Sequence, residues 1–243
     1  MDKKRGLELE LGKNKEYIFG VSEMTLKDVV DFFSKGYRIE TRMFYNRKQG
    51  TVGDVAGRFD FINKEILINN NPWFEPDKRN TIIHELYHGV TYVQFDELLL
   101  PEKQIEELSR ELTKKLYLIS NNPPKKNSLE AQTKKRITFK DIPELQLKDV
   151  INLFYDGYKL EHAPITGFSL EEDIDPFLCN FDIKEIVINS DPQWNIDKEK
   201  VILGAFYCAN CFRKRINAPA KEISKAVEKH HDKLYSPRTE FEK

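Results

Sequence analysis

The stretch "TLKDVVDFFSKGYRIE", residues 25–40, returns as "QLKDVINLFYDGYKLE" at 146–161. A second pair, "KEILINNNP" (64–72) and "KEIVINSDP" (184–192), recurs at nearly the same offset. The chain therefore reads as a tandem duplication of one unit. In each copy the apolar spacing predicts an amphipathic helix over about 25–35, strands near 37–44 and 55–61, and a strand at 65–69 after a tight turn at Asn63-Lys64. Asp77 then stands as the N-cap of a helix running to about 93, and Pro101 opens a last helix to about 118. The order α-β-β-β-α-α is that of an α+β unit. Between the copies "SNNPPKKNSLEAQTKK" (120–135) is polar, contains proline and has no apolar period, which predicts a linker. The expected division is 1–120 and 136–243.

A chain of 243 residues is long enough for two small cores, and 40% apolar with 33% charged residues is the composition of a folded protein. The net charge of −1 leaves no cationic excess to displace counterions, so no specific nucleic-acid binding or attraction to anionic membrane is expected. No apolar run approaches the roughly 20 residues needed to cross a bilayer, and "MDKKRGLELELGKNK" lacks the apolar core of a secretory signal. A cytoplasmic location is the expectation. Cys179, Cys208 and Cys211 are odd in number and confined to the second half, which is no disulfide framework. Cys208 and Cys211 read as small buried side chains in preference to a redox pair or a second zinc site with His162, His230 or His231. His230 aligns with the core residue Leu112 and reads as a partly covered helix residue.

Alignment of the copies sets "NTIIHELYH" (80–88) over "KVILGAFYC" (200–208). The apolar positions persist, whereas His84, Glu85 and His88 become Gly204, Ala205 and Cys208. Three polar residues are lost as a set. On a helix His84 and His88 stand about 40° apart and project to one side, while Ile82, Ile83, Leu86, Val90 and Val93 fall roughly opposite. Two imidazoles so placed can share one ion, for which zinc is suited, and a catalytic site adds a third protein ligand. Glu85 beside them is the expected general base, the arrangement H-E-x-x-H. Tyr87 persists as Tyr207 and reads as a packing residue; Tyr92 lies on the ligand side further along the axis.

The third ligand is expected from "PEKQIEELSRELTKKLYLIS" (101–120), whose core stripe is Ile105, Leu108, Leu112, Leu116 and Ile119. Glu107 and Glu111 fall on its far side. Glu106 lies on a flank together with Glu102, Ser109 and Thr113, and the small Ser109 lets this helix come close to the first. Glu106 is the choice, with Glu102 and Glu107 as rivals. A peptidase also needs to hold its substrate extended along a sheet edge. "EILINN" (65–70) is the candidate edge, although its alternation serves sheet packing equally well.

The combination of "HELYH", "EELSREL" some 18 residues later, and the preceding "GRFDF" and "KEILINN" resembles the ImmA/IrrE-type HExxH zinc metallopeptidases, small cytoplasmic proteins common in phages and mobile elements. The resemblance covers residues 25–118. It implies a gluzincin-like, zincin-like fold, His84, His88 and Glu106 as zinc ligands, Glu85 as catalytic base, and a protein or peptide as substrate. The second unit would be a non-catalytic copy that serves recognition or scaffolding, packed on the first about a pseudo-two-fold axis. Two departures stand out: there is no helix-turn-helix at the N-terminus, and a degenerate second copy is not part of the family pattern. The alternative is a non-enzymatic, metal-stabilised protein-binding module, and a third reading is a peptidase plugged by its own linker or second half.

Overall fold

Thr25 starts the first helix: its hydroxyl accepts from the Asp28 N–H at 3.3 Å, and the Asp28 carboxylate accepts from the Thr25 N–H at 2.7 Å. The helix that follows, α1 (Leu26–Ser34), buries Leu26, Val29, Val30, Phe32 and Phe33. The computed structural model describes residues 23–43, 46–48, 51–53, 55–95, 100–118, 138–165, 176–191 and 197–236; the linker expected at 120–135 and the N-terminal stretch at 1–15 lie outside them. Gly36, at φ 85°, turns the chain into β1 (Arg38–Arg42). A separate hairpin of β2 (Asn46–Lys48) and β3 (Thr51–Gly53) comes next, followed by β4 (Gly57–Asp60) and β5 (Glu65–Asn69).

The second half repeats α1, β1, β4 and β5 as α4 (Leu147–Tyr155), β6 (Lys159–Ala163), β7 (Phe177–Asn180) and β8 (Glu185–Asn189). The repetition reaches backbone detail. Lys64 and Lys184 both take left-handed φ values, 51° and 53°, in the turns before β5 and β8. The ammonium of each reaches back to a carbonyl just beyond the preceding helix, Lys64 to Lys35 at 3.1 Å and Lys184 to Asp156 at 2.6 Å.

One six-stranded sheet runs through the described residues in the order β4-β5-β1-β6-β8-β7. β1 pairs parallel with β5 and β6 parallel with β8; β4 and β7 add antiparallel at the two outer ends. Both triplets have the same register, with Arg38 opposite Glu65 in one and Lys159 opposite Glu185 in the other. They meet where β1 runs antiparallel to β6 and Ile39 faces Leu160. The expectation that 65–70 forms a sheet edge is corrected here. β5 is buried throughout and bonded on both sides, because its Ile66-Leu67-Ile68 core fills both faces of an internal strand. The edge of the first triplet is β4.

After a 3-10 turn (Pro72–Asp77), opened by the Asn71 side chain accepting from the Trp73 N–H at 3.1 Å, comes α2 (Lys78–Gln94). Asp77 occupies its N-cap position but makes no side-chain capping bond; its carbonyl instead accepts from the Thr81 hydroxyl at 3.2 Å. α3 (Glu102–Thr113) continues into a wider π turn (Lys114–Leu118), and the counterparts are α5 (Lys198–Arg213) and α6 (Ala220–Tyr235). The first helix of each half also packs on the long helix of the other, α1 against α5 and α4 against α2. Phe33, Phe154 and Phe206 meet there with ring centroids 5.6–6.0 Å apart, and a single apolar core spans both halves. No described helix is long and apolar enough to cross a membrane.

Candidate metal centre

α2 turns Ile82, Ile83, Leu86, Tyr87 and Val90 into the core, so residues on its other side are those free for chemistry. Tyr87 is fixed by that packing: its hydroxyl accepts from the Met24 N–H at 3.2 Å, as the Tyr207 hydroxyl accepts from Leu145 at 3.1 Å. Tyr92 is also buried, edge-on to Phe59 at 5.6 Å. His84 and His88 emerge half-buried on the opposite side, into a cleft of about 490 Å³ walled by β4, α2 and α3. The third wall is held in place by Ser109, fully buried, and by the Thr113 hydroxyl donating to the Asn80 side chain at 3.1 Å.

The two imidazole Nε2 atoms lie 3.1 Å apart. The Glu102 carboxylate closes the group, one oxygen 2.9 Å from His84 Nε2 and the other 3.1 Å from His88 Nε2. Two nitrogens bound to one tetrahedral zinc at about 2.0–2.1 Å stand roughly 3.3 Å apart, so the spacing fits ligands of a single ion. The donor set of two imidazoles and a carboxylate is also a zinc set. Among the described residues this is the group that could hold a metal. Glu106 lines the same cleft one turn along α3 but does not enter the group, and Glu107 is exposed outside it. Burial, then the neighbouring His84, pushes the His88 imidazole below its ordinary range, against the pull of Glu102. A depressed value keeps that ring neutral at neutral pH, the form that ligates.

Glu85 is buried at 6% exposure, and its carboxyl is pushed up to about 8 by desolvation first and by the Glu102 charge second, against a hydrogen bond from the Phe59 N–H. Its close seat against β4 depends on Gly57. A Cβ at residue 57 would stand 2.7 Å from Glu85 Cγ and Oε1 and from Thr81 Cγ2. The raised value has a consequence for stability. The folded state holds this proton more tightly than the unfolded one, whose carboxyl titrates near 4.5, so the contribution is complete below about 4.5 and is lost as pH rises through about 8. In chelator-treated protein, Glu85→Gln should melt with wild type at pH 5 and above it at pH 8.5. The gap should be on the order of 10 °C or more, since the rise from 4.5 to about 8 at about 1.4 kcal/mol per pKa unit is worth about 5 kcal/mol and each kcal/mol moves the midpoint of such a chain by about 2–4 °C. Superimposable pH profiles would contradict it.

In the second half Gly204, Ala205 and Cys208 stand at the positions of His84, Glu85 and His88, and Phe177 stands where β4 has Gly57. The Phe177 ring lies 3.2 Å from the Cβ position of Gly204, so an aromatic side chain packs where the first half has its polar group. On α6, Ala220 and Ser224 replace Glu102 and Glu106. The three cysteines are free thiols: Cys211 is buried and pushed up to about 11 by desolvation, while Cys179 on β7 hydrogen-bonds Cys208, an interaction that raises the Cys179 thiol and lowers Cys208. His230 is buried with Nδ1 2.9 Å from the Tyr207 hydroxyl, which makes it a packing residue of α6. The residues that sequence reasoning passed over are Gly57 and Arg110, both lining the cleft. The exchange of Gly57 for Phe177, concurrent with loss of the polar triplet, was the available signal for the first.

Comparison of the chain with protein-family models, curated proteins and solved structures gives no match.

Proposed function

We propose that the chain is a zinc-dependent peptidase built from two zincin-like units, the first carrying the active centre and the second a non-catalytic copy that completes the fold. The carrying observation is the convergence of His84, His88 and Glu102 within hydrogen-bond distance of one another in a cleft that also holds the buried Glu85. His84 and His88 with Glu102 are the residues that would hold the ion, and Glu106 remains the alternative third ligand. A zinc ion bound there supplies a Lewis acid that polarises a peptide carbonyl and brings the pKa of water to about 7.

The chain's own residues account for the rest. Without an ion the buried Glu85 carboxyl stays neutral up to about pH 8; beside a dication held by the neighbouring histidines its carboxylate is favoured, and can then take a proton from water at the ligand end of the cleft and return it to the leaving amine. The Phe59 N–H beside it favours the charged form of that carboxyl. β4, the edge of the sheet among the described residues, can take an extended peptide by strand addition along the cleft, with Phe59 and Phe61 as the apolar wall. The repeated registers, turns and tyrosine bonds support common descent of the two units, and Phe177 with the lost ligands supports the inactivity of the second. A soluble protein of the cytoplasm, without nucleic acid or membrane as partner, fits this reading.

The test is metal stoichiometry followed by cleavage. Wild type reconstituted with zinc should carry one ion per chain, His84→Ala and Glu102→Ala should lose it, and Glu106→Ala should retain it. Retention in Glu102→Ala with loss in Glu106→Ala would move the third ligand one turn along α3. Glu85→Gln should keep the ion and lower cleavage of an unstructured protein such as casein by about 10²–10⁴-fold; unchanged cleavage removes Glu85 from its role.

A further inference from the structure

Arg110 lines the cleft as a cation, whereas the other charged side chains that line it, Glu85, Glu102 and Glu106, are acids. Glu102, Glu106 and Arg110 sit at i, i+4 and i+8 on α3, a single stripe turned to the same space. Glu106 four residues before an arginine is the favourable order for an intrahelical ion pair. Even so, the Arg110 side chain makes no ion pair or hydrogen bond among the described residues and is exposed to the cleft. The second half provides a separate indication. At the matching point of α6 the residue is Glu228, so the cation disappears in the half where the ligand positions are Gly204, Cys208 and Ala220.

Resting on the peptidase reading, we propose that Arg110 is a specificity-determining residue that selects substrates carrying a carboxylate on one side of the scissile bond. The guanidinium fork matches a carboxylate in bidentate geometry. Glu102 and Glu106 repel a monovalent carboxylate less than they would a phosphate dianion, so a single guanidinium is better matched to the former. The reach is also right. Eight residues of helix separate the Glu102 and Arg110 Cα atoms by about 12 Å along the axis, and side chains lean toward the helix N-terminus. Because the Glu102 side chain leans the same way, that axial spacing is about the span of three to four residues of extended chain. A peptide laid along β4 with its carbonyl at the ligand group would bring a carboxylate to Arg110 from a Glu or Asp side chain or from its own C-terminus.

The experiment uses zinc-loaded full-length protein and calorimetry with hydroxamates: acetohydroxamate, and short peptide hydroxamates ending in a glutamate side chain, a glutamine side chain, a free C-terminus or an amidated one. Wild type should bind one carboxylate probe at least 10-fold more tightly than its amide partner; whichever pair shows the difference identifies the source of the carboxylate. The preference should fall below 2-fold in Arg110→Ala, persist in part in Arg110→Lys, and reverse in Arg110→Glu, with thermal midpoints unchanged because the residue is exposed. Equal binding of carboxylate and amide probes by wild type that does bind acetohydroxamate, or a preference undiminished in Arg110→Ala, overturns the assignment of Arg110 alone. Failure of acetohydroxamate itself to bind the zinc-loaded protein refutes the open metal position, and the assignment falls with it.

Discussion

The N-terminal half expressed alone, ending at residue 118, is expected not to fold. Each unit has its own helix-strand-helix order, yet the packing is exchanged between them: α1 rests on α5 and α4 on α2. Cutting the chain strips Phe33 of both Phe154 and Phe206 and removes β6 from the Ile39 edge of β1. It also removes the support of the N-terminal end of α2, where the Arg79 guanidinium lies 3.8 Å from the Tyr155 ring centroid and its Nε donates to Asn152 at 3.4 Å. Losing several fully buried apolar side chains at roughly 1.5–3 kcal/mol each is comparable to the whole 5–15 kcal/mol that holds a typical domain folded. Circular dichroism of the fragment should show no cooperative melt, and metal binding should be lost with it. Co-expression with residues 138–243 should restore a soluble complex. A fragment that melts cooperatively within about 10 °C of the whole chain would show that the halves are independent.

Gly89→Ala should destabilise the protein by about 2–3 kcal/mol, although alanine in a helix interior ordinarily gains up to about 1 kcal/mol over glycine. The added Cβ would stand 2.4 Å from Phe32 Cε2 and 2.5 Å from its Cζ. That ring has nowhere to go, being buried, stacked on Tyr37 at 4.3 Å and edge-on to Phe33 at 5.1 Å. Steric cost therefore outweighs helix propensity, and α2 must shift beside His88. Denaturant unfolding measures the loss directly, and Phe32→Leu in the same chain should recover part of it by opening the space. A net gain in stability for Gly89→Ala would mean that Phe32 yields freely.

Much of the fold was legible because the repeat preserves core positions such as Ile82 and Ile202 together with turn chemistry such as Lys64 and Lys184, which are local properties of the chain. Strand neighbours are not local. Residues 65–69 precede α2 directly, which favoured them as an edge, but the parallel pairing with β1 places them inside the sheet and leaves the short, charged "GRFD" of β4 outside. The seam at Ile39 and Leu160 likewise joins residues far apart in sequence through strands of ordinary amphipathic composition. In the metal group the histidines and Glu85 followed from helical angle. Glu102 and Glu106 lie only about 40° apart on that wheel, so angle cannot separate them; the height at which α3 enters after Pro101 does, and no periodicity reports it. Gly57 left no mark of its own, since a glycine that admits a neighbouring carboxylate looks like any other until its counterpart, Phe177, is set beside it.

The antiparallel seam between β1 and β6 also decides how the protein responds to dilution. Two separate chains joined through such a strand pair would part as their concentration fell, and their shared aromatic cluster would go with them. With both partners on one polypeptide the encounter is intramolecular and mass action no longer applies. The unit with the candidate ligand group is thereby as well supported at a few molecules per cell as at high expression. In its companion Phe177 packs against the position of Gly204, and β6 supplies the other half of the strand pair that both units need.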